Sequence, residues 1–112
     1  MTVPEQTPPE GTAALEFSST LEHASALLRL LADPTRLGIM ALLQDGEMPV
    51  ADIAKTLGRP LPAVSQHLAK LRAGGLVTTR REGRTIYYRQ VDEHLATLVD
   101  NMLLHAAHTQ TD

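Results

Sequence analysis

The chain has 112 residues, of which 43% are apolar and 21% charged, a composition typical of one small globular domain. It contains no cysteine, which excludes disulfides, thiolate metal sites and cysteine nucleophiles. There is no apolar run long enough to span a membrane and no pattern of a secretion signal, so we expect a cytoplasmic protein without a membrane partner. A domain this small gains stability by burying surface against a second copy, which favours a homodimer.

The charge is unevenly distributed, although the formal net charge is only −3. Residues 59–89 contain seven Lys and Arg against one acid, a net charge of +6, whereas the remainder carries −9. A chain with this segregation can present a basic face to phosphate groups while the rest stays acidic. The alternative is that these side chains are ordinary solvated surface charge.

The first third of the chain predicts a tail followed by two helices. Residues 1–14 are rich in Pro and predict a flexible tail. Ser19 and Glu22 have the spacing of a capping box and mark the start of the first helix. Asp33 followed by Pro34 starts the second helix, because Asp caps free N–H groups and Pro fits the first helical position.

The helical period continues and then gives way to that of strands. A third helix spans residues 50–57, and a fourth spans about residues 62–73 and ends at two glycines. Residues 77–81 and 85–90 are rich in β-branched and aromatic side chains and predict a β-hairpin. Asp92 then caps a last helix with an apolar stripe, which gives the order α-α-α-α-β-β-α.

Two short helices joined by a tight turn and followed by a basic hairpin form a winged helix-turn-helix, mainly α with a β-hairpin wing. We assign residues 15–108 to one such domain and residues 109–112 to a C-terminal tail. The fourth helix is the recognition helix, and polar side chains on its outward face and on the wing can contact bases and phosphates. These candidate DNA contacts are Arg59, Ser65, Gln66, His67, Lys70, Arg72, Arg80, Arg81 and Arg84.

The candidate contacts differ in the role that we predict for them. Gln66 and Ser65 are predicted to read base edges, because Gln can pair bidentately with adenine. The arginines of the wing suit a minor groove or flanking phosphates, although a hairpin with solvated basic residues is the alternative. His67 either contacts a phosphate or lies half-buried.

Three segments resemble the ArsR/SmtB family of winged-helix metal-responsive regulators: residues 31–37 (LADPTRL), 64–68 (VSQHL) and 83–88 (GRTIYY). The resemblance covers roughly residues 20–108. It implies a homodimer built from the first and last helices, usually a repressor that leaves its operator when metal binds. The cysteines that some members carry near the helix-turn-helix are absent, which removes arsenic, cadmium, lead and copper(I) as ligands.

The last helix carries four potential metal ligands, Asp92, His94, His105 and His108. His94 and His105 lie on one face, but the rise between them is about 16 Å, so one ion cannot bind both within a single chain. Antiparallel pairing of two copies would set Asp92 and His94 beside His105 and His108 of the second copy, giving two equivalent sites per dimer. Otherwise Asp92 only caps the helix and the histidines only decorate its exposed side.

Three imidazoles and one carboxylate form a closed four-coordinate set, which favours sensing by zinc over catalysis. Cobalt(II) is the tetrahedral mimic of zinc, and nickel(II) stays open, with His23 or the flexible N-terminal tail, which contains no histidine, as a possible source of further ligands. The predicted function is repression at an inverted-repeat operator in double-stranded DNA, relieved by metal. The alternatives are a regulator without a metal response, an activator, or a winged-helix module that binds only protein. An enzyme is disfavoured because no nucleophile-base pair or phosphate loop is present.

Overall fold

The computed structural model describes residues 11–110. Within these residues five α-helices and three strands follow one another, with a 3₁₀ turn after the second helix. The elements are α1 (Thr12–Leu31), α2 (Pro34–Leu42), β1 (Met48–Pro49), α3 (Val50–Leu57), α4 (Leu61–Ala73), β2 (Val77–Glu82), β3 (Thr85–Gln90) and α5 (Glu93–Gln110). The predicted winged helix-turn-helix, mainly helical with a β-hairpin, is confirmed, and β1 is an addition to the predicted order.

Three predicted helix boundaries are present as side-chain or backbone caps. The carboxylate of Asp33 accepts a hydrogen bond from the backbone N–H of Arg36 at 3.0 Å, and α2 begins at the following proline. Oδ1 of Asp92 accepts a hydrogen bond from the backbone N–H of Leu95 at 2.9 Å, so Asp92 caps α5. Gly58 ends α3 in the left-handed conformation, with φ 65°.

The start of α1 differs from the prediction. The helix begins at Thr12, so Ser19 lies within it and the predicted capping box is wrong. Alanine, leucine and glutamate precede Ser19, and extending a helix through such residues costs less than starting one. The rest of the predicted tail, residues 1–10, lies outside the described residues.

Smaller differences occur at two other helix ends. The fourth helix begins at Leu61, one residue before the predicted start. The last helix continues to Gln110, and residues 111–112 of the predicted C-terminal tail lie outside the described residues. Helix ends fray, so shifts of one or two residues do not alter which faces the helices present.

The hairpin forms two strands of a three-stranded antiparallel sheet of order β1-β3-β2. Glu82 pairs with Thr85, so Gly83 and Arg84 form a two-residue turn, with Gly83 at φ 63°. Strand β1 was not predicted, because a two-residue strand has no period to detect. It occupies the sheet edge, where a proline is tolerated.

One hydrophobic core joins the helices to the base of the hairpin. Helix α4 buries Val64, Leu68 and Leu71 in it, as the apolar spacing predicted. The fully assembled set is Leu31, Ile39, Met40, Leu43, Ile53, Ala54, Val64, Leu68, Leu71, Leu76, Val77 and Val99. Because these residues come from both helices of the helix-turn-helix and from β2, the core fixes the position of α4 relative to the hairpin.

Part of the predicted apolar stripe of α5 does not reach this core. Val99 is buried, whereas Leu98 is 44% and Met102 51% exposed. Leu28 of α1, 55% exposed, lines an apolar cavity of about 270 Å³ together with both of them. Helices α1 and α5 therefore present an uncovered apolar face. No helix within residues 11–110 combines the length and apolar character that a membrane crossing requires.

Replacing Leu68 with alanine should lower the free energy of unfolding by about 2–5 kcal/mol, because it removes a fully buried side chain. The matched control is Leu61→Ala on the same helix, where the leucine is 46% exposed and the expected loss is about 1 kcal/mol or less. Urea unfolding at one fixed protein concentration measures both. Equal losses would contradict the assignment of Leu68 to the core.

Candidate nucleic-acid interface and metal centre

The outward face of α4 carries most of the predicted contacts. Because Val64, Leu68 and Leu71 point into the core, the side chains on the opposite face of the helix turn to solvent. Of the predicted residues here, Ser65 is half-buried and the exposed ones are Arg59, Gln66, Lys70 and Arg72. Gln66 and Lys70 lie on the side of α4 opposite its buried residues, whereas Arg72 lies on a flank of the helix and Arg59 precedes it.

His67 is held differently from the other candidates on α4. Its side chain is 24% exposed, and its Nδ1 lies 3.1 Å from Nη1 of Arg36. Because an arginine N–H can only donate, Nδ1 of His67 accepts this hydrogen bond. The carboxylate of Asp33 is 3.9 Å from the same nitrogen, which is too long for a hydrogen bond. Of the two alternatives given for His67, its surroundings correspond to the half-buried position.

Arg36 connects three helices at this point. Its Nε donates to the backbone carbonyl of Leu30 near the end of α1, while its Nη1 donates to His67 on α4. Its own backbone N–H caps α2 through Asp33. That hydrogen bond, followed by the charge of the Arg36 guanidinium, holds the pKa of the Asp33 carboxyl below its ordinary value. The side chains of this cluster tie the recognition helix to the junction of α1 and α2.

The three wing arginines predicted to contact DNA fall into two groups. Arg81 and Arg84 are exposed at and near the turn of the hairpin. Arg80 is engaged with two carboxylates: its Nε donates to both carboxylate oxygens of Glu47 at 3.1 Å, and its Nη1 donates to Glu82 at 2.6 Å. The side-chain hydrogen bond from Arg80 lowers the pKa of Glu47, and the two acids raise the pKa of Arg80.

The four potential metal ligands lie at the two ends of α5. At its start, Nδ1 of His94 lies 4.0 Å from Oδ1 of Asp92, and the His94 side chain is wholly exposed. His105 and His108 follow one turn apart near the other end and are also exposed. Within residues 11–110 no three His, Asp or Glu side chains lie close enough together to hold a metal ion. The described part of the chain therefore supplies pairs of donors but no complete site.

The donors share a helix face with the uncovered apolar residues. His94, Leu98, Met102 and His105 follow each other at intervals of four, four and three residues, the spacing of one helix face. His23 of α1 lines a cavity of about 420 Å³ together with Asp92 and His94. Along the helix axis, the exposed face of α5 thus has apolar residues in the middle and an imidazole towards each end.

Helix α4 carries exposed cations, is joined to the short helix α3 by a tight turn, and is followed by an arginine-tipped hairpin. This is the architecture of winged helix-turn-helix DNA-binding proteins. A profile described as a helix-turn-helix domain matches residues 31–80. The HTH-type transcriptional regulator KmtR of Mycobacterium tuberculosis is 49% identical over 82 residues, which cover 73% of this chain. This chain spans only 63% of the length of KmtR.

Two longer alignments agree with this match. The HTH-type transcriptional regulator NmtR of Mycobacterium tuberculosis is 40% identical over 101 residues, covering 90% of this chain and 78% of NmtR. The homodimeric winged helix-turn-helix domain of Mb0332 from Mycobacterium bovis, a possible ArsR-family transcriptional regulator, aligns with a TM-score of 0.77 at 32% identity, covering 96% of this chain and 93% of that one. The chain belongs to the ArsR/SmtB family of winged-helix transcriptional regulators, which are not enzymes.

Replacing Asp33 with alanine should destabilise the protein at neutral pH, because the carboxylate caps α2. Since folding lowers the pKa of Asp33, its contribution is complete above the ordinary value of 3.8 and disappears as the pH falls further through the folded pKa. The stability difference between the two proteins should therefore shrink in acid. Guanidinium unfolding across this range measures it, with Asp45→Ala as an exposed-acid control. A constant difference would contradict the assigned role of the charge.

Proposed function

We propose that the protein is a cytoplasmic, dimeric repressor that binds an inverted-repeat operator in double-stranded DNA and releases it when a divalent metal binds. The observation that carries the DNA-binding part is the set of exposed cations on and beside α4 together with the arginine-tipped hairpin, on a chain whose remaining residues carry a net negative charge. Phosphate contacts provide most of the affinity of such surfaces for DNA, and side chains in the major groove provide the sequence preference.

Each part of this basic surface has a proposed role. Gln66 reads a base edge from the exposed face of α4, with Ser65 beside it. Arg59, Lys70 and Arg72 contact phosphates around the reading helix. Arg81 and Arg84 contact the neighbouring minor groove or its phosphates.

The uncovered apolar face of α1 and α5 supports the dimer. Leu28, Leu98 and Met102 are about half exposed, and the cavity between them is lined by apolar side chains only. The same face of a second copy would cover it, because a two-fold interface uses the same surface on both subunits. The relative Mb0332 is homodimeric. In this arrangement the two α4 helices enter successive major grooves, about 34 Å apart.

The donor set of α5 fits a metal site shared between two copies. Asp92 and His94 of one copy, with His105 and His108 of the other, supply a carboxylate and three imidazoles, a set that suits zinc or cobalt. His23 is the proposed further ligand if the metal is nickel, because it borders the same cavity as Asp92 and His94. The bound ion would supply a cross-link between the two α5 helices.

Two amide side chains join neighbouring elements here: Gln44 links the turn after α2 to α5, and Gln90 links β3 to α2. Nε2 of Gln44 donates to the backbone carbonyl of Ala96 at 3.0 Å. Nε2 of Gln90, at the end of the wing strand β3, donates to the backbone carbonyl of Met40 at 2.9 Å. In the proposed mechanism a change in the position of α5 would act on the end of α2 through Gln44, and on the wing through the bond between α2 and Gln90. A coupling of about 1–3 kcal/mol, typical of linked sites, would weaken operator binding about 5- to 150-fold.

The affinity of the protein for duplex DNA from the region upstream of its own gene should fall steeply with salt, because protein binding releases counterions condensed on the DNA. Lys70→Gln and Arg84→Gln should each reduce the slope of log K against log salt by about 1. Gln66→Ala should instead reduce the preference over a scrambled duplex. The matched control is Arg29→Gln on α1, which should leave the slope unchanged. Fluorescence anisotropy measures all four, and absent or salt-independent binding would favour a module that binds only protein.

A mixed dimer provides the sharpest test of the shared metal site. His94→Ala and His105→Ala should each lose tight zinc binding as homodimers, because each removes a ligand from both sites. When the two variants are mixed, one of the two sites in each heterodimer lacks both histidines and the other keeps all four ligands. One tight site per heterodimer should therefore return. Calorimetry with zinc and absorption spectra with cobalt measure the recovery.

Two outcomes of the mixing experiment would contradict this part of the proposal. Tight binding by either variant alone would remove that histidine from the site. Loss without recovery on mixing would contradict ligands shared between copies. Wild-type protein that binds operator DNA but neither metal would be a regulator without a metal response.

A further inference from the structure

We propose that Arg80 does not contact DNA and instead fastens the wing to the strand that leads into the helix-turn-helix, with Glu47 as its anchor. This inference rests on the proposed DNA binding, because it assigns a positioning role within that interface. It also separates Arg80 from Arg81 and Arg84, the other two wing arginines proposed to contact DNA.

The guanidinium of Arg80 is largely occupied by carboxylates. Its Nε and Nη2 both donate to the carboxylate of Glu47, a bidentate arrangement. Its Nη1 donates to Glu82 on the same strand. Bidentate pairing fixes both the position and the plane of a guanidinium. All three nitrogens of the guanidinium thus donate to carboxylates, which leaves it poorly placed to bind a phosphate group as well.

The arginine side chain crosses the whole sheet to reach its anchor. Arg80 on β2 pairs with Tyr87 on β3, and Tyr87 pairs with Pro49 on β1. The guanidinium carbon lies 4.7 Å from the centre of the Tyr87 ring, a cation-π distance. Glu47 lies two residues before Pro49, on the same side of the chain by strand alternation. Arg80 therefore connects the outer strand of the wing to the far edge of the sheet.

The anchored edge continues directly into the DNA-reading helices. Strand β1 ends at Pro49 and helix α3 begins at Val50, with no residue between them. Fixing the wing to the segment before β1 thus fixes its angle relative to α3 and α4. Arg81 points to the opposite side of the strand from Arg80, and Arg84 lies in the turn, so neither is restrained by these acids.

The test compares operator binding by Arg80→Gln and Glu47→Gln. If Arg80 and Glu47 hold the wing in place, both variants lose the Arg80–Glu47 contact, and each should weaken binding about two- to fivefold, the range for a partly exposed ion pair. Arg80→Gln also loses the contacts with Glu82 and Tyr87, so it should be the weaker of the two. The double variant should bind no more weakly than Arg80→Gln alone. The slope of log K against log salt should stay that of the wild type in all three. Thermal unfolding confirms that the variants are folded at the assay temperature.

A conservative variant adds a readout that general destabilisation would not give. Arg80→Lys keeps the charge but cannot form the bidentate pair, so it should bind like Arg80→Gln. Arg81→Gln is the matched control and should lower the salt slope by about 1.

A phosphate contact at Arg80 predicts a different pattern. Arg80→Gln would then lower the salt slope, Arg80→Lys would preserve it, and Glu47→Gln would strengthen binding by freeing the guanidinium. Opposite effects of the two glutamine variants, or no effect of either, would overturn the inference. Failure of the wild-type protein to bind duplex DNA would refute the proposed function itself, and with it the premise of a positioning role.

Discussion

The rotation of α4 about its own axis is set by Val64, Leu68 and Leu71, which are completely buried. Each contributes about 1.5–3 kcal/mol by burial, so turning the helix by one residue would replace favourable burial with buried polar groups. This constraint directs Gln66 outward and places His67 on the flank that meets α2. The composition of the reading surface therefore follows from the packing on the opposite side of the helix.

Much of this arrangement could be predicted from sequence because it depends on local signals. Helix starts at Asp33 and Asp92 follow from side chains that cap their own helices, and the rotation of α4 follows from apolar spacing. The position of the hairpin follows from the change of period and from its turn residues. Periodicity also found the apolar stripe of α5, but it could not tell which of these residues pack within the protomer and which remain for a second copy.

The features that sequence reasoning missed depend on contacts between distant residues. Glu47 and Arg80 are 33 residues apart, and only the pairing of β1 with β3 brings them to one side of the sheet. The hydrogen bond between Arg36 and His67 joins residues 31 apart in sequence. No short motif encodes either contact. Ser19 shows the reverse error, because a good local capping pattern was overridden by a helix that begins upstream.

The direct passage from β1 into α3 has a consequence for the kind of DNA that fits. Because β1 runs directly into α3, the continuous chain restricts how far the hairpin can move relative to α3 and α4, and in the proposed complex it would restrict the distance between their two contacts on DNA. A restricted distance between the two contacts favours duplexes whose adjacent grooves already have matching widths. It also favours duplexes with flexible base-pair steps that adopt those widths at low energetic cost. Selection among sites would then include the shape and stiffness of base pairs that no side chain touches.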